Sequence, residues 1–129
     1  MKITKPIQEI IPYVLTGIPI AAFLAGDIFE ANNDYEMAYR MYNAISFSND
    51  PHGLRCYADM LLQGKGTAQD PASAKEMYQL AASGGDREAM FITGEFLRQS
   101  NINMAAYWYG LAHVRGYKPA TERLRQLAK

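Results

Sequence analysis

Apolar and polar positions follow a helical period in this chain, and one pattern returns three times. After Asp34, Asp70 and Asn101, an alanine stands four residues on: Ala38, Ala74 and Ala105. Three residues further comes a large pair: Met41-Tyr42, Met77-Tyr78 and Trp108-Tyr109. Ile45, Ala81 and Ala112 lie three beyond the tyrosines. Residues at these offsets share one face of an α-helix, so three amphipathic helices are predicted, with the tyrosines in the core. Asp34, Asp70 and Asn101 suit the N-cap, where a short oxygen side chain accepts from free N–H groups of the first turn. Pro71 sits at the first helical position, where its missing N–H is harmless.

A second helical pattern precedes each of these. It carries a small residue (Gly26, Ala58, Gly94), then a large apolar pair: Ile28-Phe29, Met60-Leu61 and Phe96-Leu97. A small residue there lets two helix backbones approach closely. The segments 17–21, 49–53, 85–89 and 116–120 align with one another. Each begins with a residue that tolerates the left-handed conformation past a helix end (Gly17, Asn49, Gly85, Gly116). Each ends in a small one (Ala21, Gly53, Ala89, Ala120). The spacings of 32, 36 and 31 residues match one helix–turn–helix unit. The expected fold is therefore all-α, a superhelical solenoid of three repeats, 21–52, 53–88 and 89–119, in a single domain. Residues 1–20 are read as an N-terminal cap or half-repeat, interrupted by Pro12. Residues 120–129 are read as a capping helix, with Leu124 and Leu127 inward and Thr121, Glu122, Arg123 and Arg125 outward.

These residues resemble the Sel-one-like repeat family of the tetratricopeptide-like superfamily. The second unit carries most of that family's pattern: Tyr57-Ala58, Gly64-Lys-Gly66, Asp70, Ala74, Met77-Tyr78, Ala81-Ala82 and Gly85. The third keeps Gly94, Ala105, Trp108-Tyr109, Ala112 and Gly116 but lacks the Gly-x-Gly loop, and the first is the most divergent. The resemblance covers residues 17–120. It implies an α/α solenoid with a concave groove and a role in protein–protein interaction, of a bacterial type. Some family members carry a disulfide across each helix pair. Cys56 is the single cysteine here, so that feature and its extracellular setting do not carry over.

Composition narrows the function. The 129 residues hold 13 basic and 13 acidic side chains, for a formal net charge of zero. Nucleic-acid binding, which draws on a basic excess, is not expected. A lone cysteine leaves stability to packing and suits a reducing, cytoplasmic setting. Lys2 and Lys5 precede an apolar stretch over 10–26 that has the outline of an export signal. Gln8 and Glu9 at its start, and Pro12, Gly17 and Pro19 within it, argue against that and against a membrane span.

No nucleophile–base arrangement, phosphate loop or cofactor motif is apparent, so no enzyme activity and no cofactor are expected. Hydrolysis of a small substrate is the weakest of the functional alternatives. His52 and Cys56, four apart, share a helix face, but two ligands do not make a zinc site. Where a partner would sit is suggested by the tetratricopeptide resemblance, in which first helices line the concave surface. The position after the small residue is acidic in every unit: Asp27, Asp59 and Glu95. Four residues earlier come Phe23, Arg55 and Phe91, and three later Glu30, Leu62 and Arg98. Two readings of this row stay open. It is a binding face for a partner protein, or it is the polar face that any surface helix exposes. The expected function is a monomeric adaptor that binds another protein, such as a signalling or secretion component. The alternative is an immunity protein that neutralises a cognate toxin.

Overall fold

The computed structural model describes residues 19–47 and 50–129. Seven helices and no strand are found among them: α1 (Pro19–Ala31), α2 (Tyr35–Ser46), α3 (Pro51–Gln63), α4 (Pro71–Ser83), α5 (Arg87–Leu97), α6 (Ile102–Val114) and α7 (Lys118–Leu127). The helices pair as α1–α2, α3–α4 and α5–α6, with α7 closing the stack. Each packs extensively only on its neighbours in the chain. This is the arrangement of a solenoid, whose units bury one continuous core by stacking. Gly17, Asn49, Pro12 and the rest of the segment 1–16 lie outside the described residues.

The helix starts follow from side-chain chemistry. Asp34, Asp70 and Asn101 each accept a hydrogen bond from the backbone N–H three residues on: Met37, Ser73 and Met104. Asp50 and Asp86 do the same for α3 and α5. These two belong to the aligned segments 49–53 and 85–89, so the residue after the closing Asn or Gly opens the next first helix. The helix ends follow from backbone conformation. Gly85 and Gly116 have positive φ. The N–H groups of Asp86 and Tyr117 then reach back to Ala81 and Ala112, a helix-ending pattern that satisfies carbonyls otherwise left without partners.

The core is built from the predicted stripes. Tyr42, Tyr78 and Tyr109 are the largest fully buried side chains, and Ala38, Ala74, Ala105, Ala81, Ala112 and Ile45 are buried beside them. Two clusters result. One spans α1 to α3 around Tyr42, and the other spans α3 to α7 around Tyr78 and Tyr109. Tyr39 and Tyr57 pack against both and make the core continuous.

The small residues have a definite neighbour. A Cβ on Gly26 would lie 2.5 Å from Cε1 of Tyr42, and one on Gly94 would lie 2.6 Å from Cε1 of Tyr109. Each glycine therefore seats the tyrosine ring of its own helix pair. Ala58 holds the same position against Tyr78, so the second pair leaves room for one methyl group. At the C-terminus, Leu124 and Leu127 pack inward as expected. Arg123, placed outward in the sequence reading, is instead half-buried and bonds to Glu95 of α5. A long guanidinium stem on the edge of the inward face lies along apolar surface while its head reaches a carboxylate.

Gly94→Ala is expected to destabilise the fold by about 1–3 kcal/mol, the usual range for overpacking a filled core. Urea unfolding reads this directly. An unchanged midpoint would mean that the third helix pair relaxes as freely as the second.

Candidate functional site

The row singled out on the first helices is where the tyrosine hydroxyls emerge. Tyr42 in α2 donates to Asp27 of α1 at 2.7 Å and lies 3.1 Å from Glu30. Tyr78 in α4 donates to Asp59 of α3. Tyr109 in α6 donates to Glu95 of α5 at 2.5 Å. The recurrent carboxylate is thus the acceptor for the buried tyrosine of its own repeat. The register explains this. The ring lies against the small residue, and the next residue on the helix stands at the ring's far end. A buried hydroxyl without a partner is costly, so an acceptor at that point serves the fold. Burial, then the adjoining carboxylate, push the Tyr42 and Tyr78 hydroxyls well above the ordinary tyrosine range. The same causes lift Tyr109 to about 12.

The position four residues before the acid joins successive repeats. Phe23 in α1 packs at a tilt against the ring of His52 in α3, with ring centroids 4.2 Å apart. Phe91 in α5 packs on Tyr117 at the start of α7, at 5.4 Å. Arg55 in α3 reaches into α5: its Nε lies 2.8 Å from Asp86, and a terminal nitrogen lies 3.1 Å from Glu88. That guanidinium also lies 3.6 Å from Asp59 and bonds to His52 Nδ1 at 2.8 Å. Its side chain is only 12% exposed. Burial alone would favour its neutral form. Asp86 and the other carboxylates outweigh that and raise its affinity for the proton.

The three acids consequently differ. Glu95 is clamped by Arg123, whose Nε and a terminal nitrogen lie 3.0 and 2.8 Å from the same oxygen. Burial raises its proton affinity, but the hydrogen bonds from Arg123 and Tyr109 outweigh it and hold Glu95 below the usual carboxylate range. Asp59 is shifted the other way. Burial is the main cause, opposed by Tyr78 and Arg55 and reinforced by the nearby charges of Glu30 and Glu88. Asp27 and Glu30 have Tyr42 as their hydrogen-bond donor and no ion-pair partner among the described residues. Of the remaining candidates, Leu62 packs against the core and Arg98 is an exposed residue at the end of α5.

Within this row, uncompensated negative charge is thus concentrated at α1 and its border with α3. Sequence spacing identified Asp27, Asp59 and Glu95 as one recurring register position. It gave no means of telling the acids held by Arg55 and Arg123 from those left open, because each arginine comes from another register position or a later helix. Elsewhere, Cys56 is buried. Burial, more than its charged neighbours, pushes its thiol up to about 12. His52 is turned to Phe23 and Arg55. Among the described residues no cluster of three or more metal-ligating side chains occurs, and no helix is long and apolar enough to cross a membrane.

No family model matches the sequence, and no curated protein matches it. Solved structures do. A Sel1 repeat protein from Oxalobacter formigenes superposes with a TM-score of 0.83 at 18% identity, over 95% of this chain and 99% of that one. A protective antigen present in uropathogenic Escherichia coli strains, which displays an SLR fold, superposes with a TM-score of 0.82 at 21% identity. That match covers 87% of this chain, which spans 26% of the antigen's length. The fold is therefore that of the Sel1-like repeat solenoids.

The two clamped acids make opposite contributions to pH-dependent stability. A carboxylate held below its unfolded pKa stabilises above that value, and this is lost as the pH falls through its folded pKa; one held above it weakens the fold as the pH rises through that range. Glu95→Gln is expected to flatten the loss of stability between about pH 5 and 3, and Asp59→Asn to steepen it. Urea midpoints across that range check both signs. Parallel profiles for the two variants would contradict the assignment.

Proposed function

We propose that this chain is a non-catalytic protein-interaction module whose first-helix face, the concave face of the solenoid, receives a basic segment of a partner protein at Asp27, Glu30 and the neighbouring Asp59. One observation carries this reading: Asp27 and Glu30 are carboxylates on the first-helix face with no cationic partner among the described residues. The equivalent acids in later repeats are neutralised from within, Asp59 in part by Arg55 and Glu95 by Arg123. A face with open negative charge at one end attracts and orients a positively charged partner. Phe23 and Phe91 then act chiefly as packing between repeats, with their exposed edges flanking the groove. Arg98 marks its far end with the opposite charge.

The Sel1-like repeat fold supports the general role, since a solenoid leaves a long surface free once its core is buried. A single buried thiol suits a reducing, cytoplasmic setting for a monomer, which completes the proposal. Whether the partner is a signalling or secretion component or a cognate toxin is decided by its identity on purification.

The test must leave the fold intact, and reversing Asp59 or Glu95 would instead break the tyrosine pairs. The variant Asp27→Asn/Glu30→Gln removes charge and keeps acceptors for Tyr42. Partners recovered by affinity purification from the native cell are expected to bind this variant at least about tenfold more weakly, the scale of one or two well-placed charge pairs. Unaltered affinity, with an unaltered urea midpoint, would remove this face from consideration.

A further inference from the structure

A cavity of about 430 Å³ lies between α2, α3 and α4, away from the first-helix row. Its volume falls in the range of small-ligand sites. Tyr39 of α2 and Tyr57 and Leu61 of α3 line it, with Ser73, Glu76 and Met77 of α4. The remaining wall is residues 67–70 of the loop 64–70, the longest connection between described helices.

That loop is built to stand where it does. Gly64 and Gly66 have φ of 70° and 75°. A Cβ on Gly66 would lie 2.1 Å from the carbonyl oxygen of Tyr35, so the loop backbone is pressed against the start of α2. The Lys65 ammonium lies 4.8 Å from the Tyr35 ring centroid, and the Gln69 side-chain amide donates to the Leu62 carbonyl at 2.9 Å. The wall is therefore pinned at both ends. The Gly-x-Gly motif, read from sequence as a turn, anchors the segment Thr67 to Asp70 that walls this space.

The lining has one chemical character. The Tyr39 and Tyr57 rings lie 5.5 Å apart with their hydroxyls 3.4 Å from each other. Leu61 and Met77 add apolar surface. Asp70 caps α4, and Glu76 has neither an ion pair nor a hydrogen bond among the described residues. No basic side chain lines the cavity. Aromatic faces attract cations, and a carboxylate at the mouth adds to that attraction. The aromatic pair is not a requirement of the repeat. The positions of Tyr39 are held by Lys75 and Ala106 in the other second helices, and those of Tyr57 by Ala25 and Thr93 in the other first helices.

We propose that this cavity binds an alkylammonium group, with the aliphatic stem against Leu61 and Met77, the cation against the Tyr39–Tyr57 pair where it lines the cavity, and Glu76 as its counter-charge. The source is a lysine side chain of a partner or a free aliphatic amine. The site stands apart from the first-helix face.

NMR titration of the intact chain tests it, following the Met77 methyl and the Tyr39 and Tyr57 ring signals. Butylammonium is expected to give saturable shifts, while butan-1-ol, of similar shape and uncharged, binds at least about threefold more weakly, as expected from a single cation–π and charge contribution. Glu76→Gln, at an exposed position, should weaken butylammonium by a similar factor. Asp27→Asn/Glu30→Gln should leave it unchanged, which separates this site from the first-helix face. Tighter binding of Nα-acetyl-lysine N-methylamide, whose side-chain ammonium is free, than of putrescine assigns the cavity to a protein lysine, and the reverse order assigns it to a free diamine. Absence of saturable shifts, equal binding of amine and alcohol, or indifference to Glu76→Gln would overturn the proposal.

Discussion

The structure depends on one recurring constraint: a tyrosine of each second helix must be buried whole, hydroxyl included. The ring fits only because the facing first helix carries glycine or alanine at the contact. The hydroxyl is tolerated only because the next residue on that helix is a carboxylate. Ring, small residue and acid form a three-part unit that fixes both the spacing and the rotation of the two helices. Shifting the first helix by one residue would place a side chain in the ring and remove the acceptor together. Tyrosine suits this role better than phenylalanine, because its polar end selects one register out of several that apolar packing alone would accept.

Stacking of one unit on the next uses different chemistry at each border, at the same register position. Phe23 meets a histidine ring, Arg55 meets two carboxylates, and Phe91 meets a tyrosine ring. These choices determine the charge left for solvent. Arg55 and Arg123 consume negative charge in the middle and at the C-terminal end of the first-helix row. The α1 end retains its own. A nearly neutral chain thereby presents a polarised surface, and the functional reading rests on that distribution rather than on net charge.

Much of this was legible in the sequence because it is local. Caps at Asp34, Asp70 and Asn101, closing glycines at 85 and 116, and the Ala–Tyr–Ala stripes depend on offsets within one or two turns. The acidic row was legible as a pattern, but its meaning was not. Asp59 and Tyr78 are 19 residues apart, and Arg123 and Glu95 are 28 apart. Such pairs depend on how helices stack, which periodicity does not report. Arg123 reads as an outward residue because it is charged and falls between the inward leucine positions, with Glu122 and Arg125 close by. The cavity was hidden for a related reason, since Tyr39, Tyr57 and Glu76 come from three helices and the loop that encloses them is legible only as a turn.

The central claim is that each tyrosine and its carboxylate act as one energetic unit. A double-mutant cycle on Tyr78→Phe and Asp59→Asn, followed by urea unfolding, measures this most directly. A hydrogen bond to a partly buried charged group predicts a coupling energy of about 1–3 kcal/mol. Additive effects, with coupling near zero, would contradict the account and return the acidic row to an ordinary polar helix face.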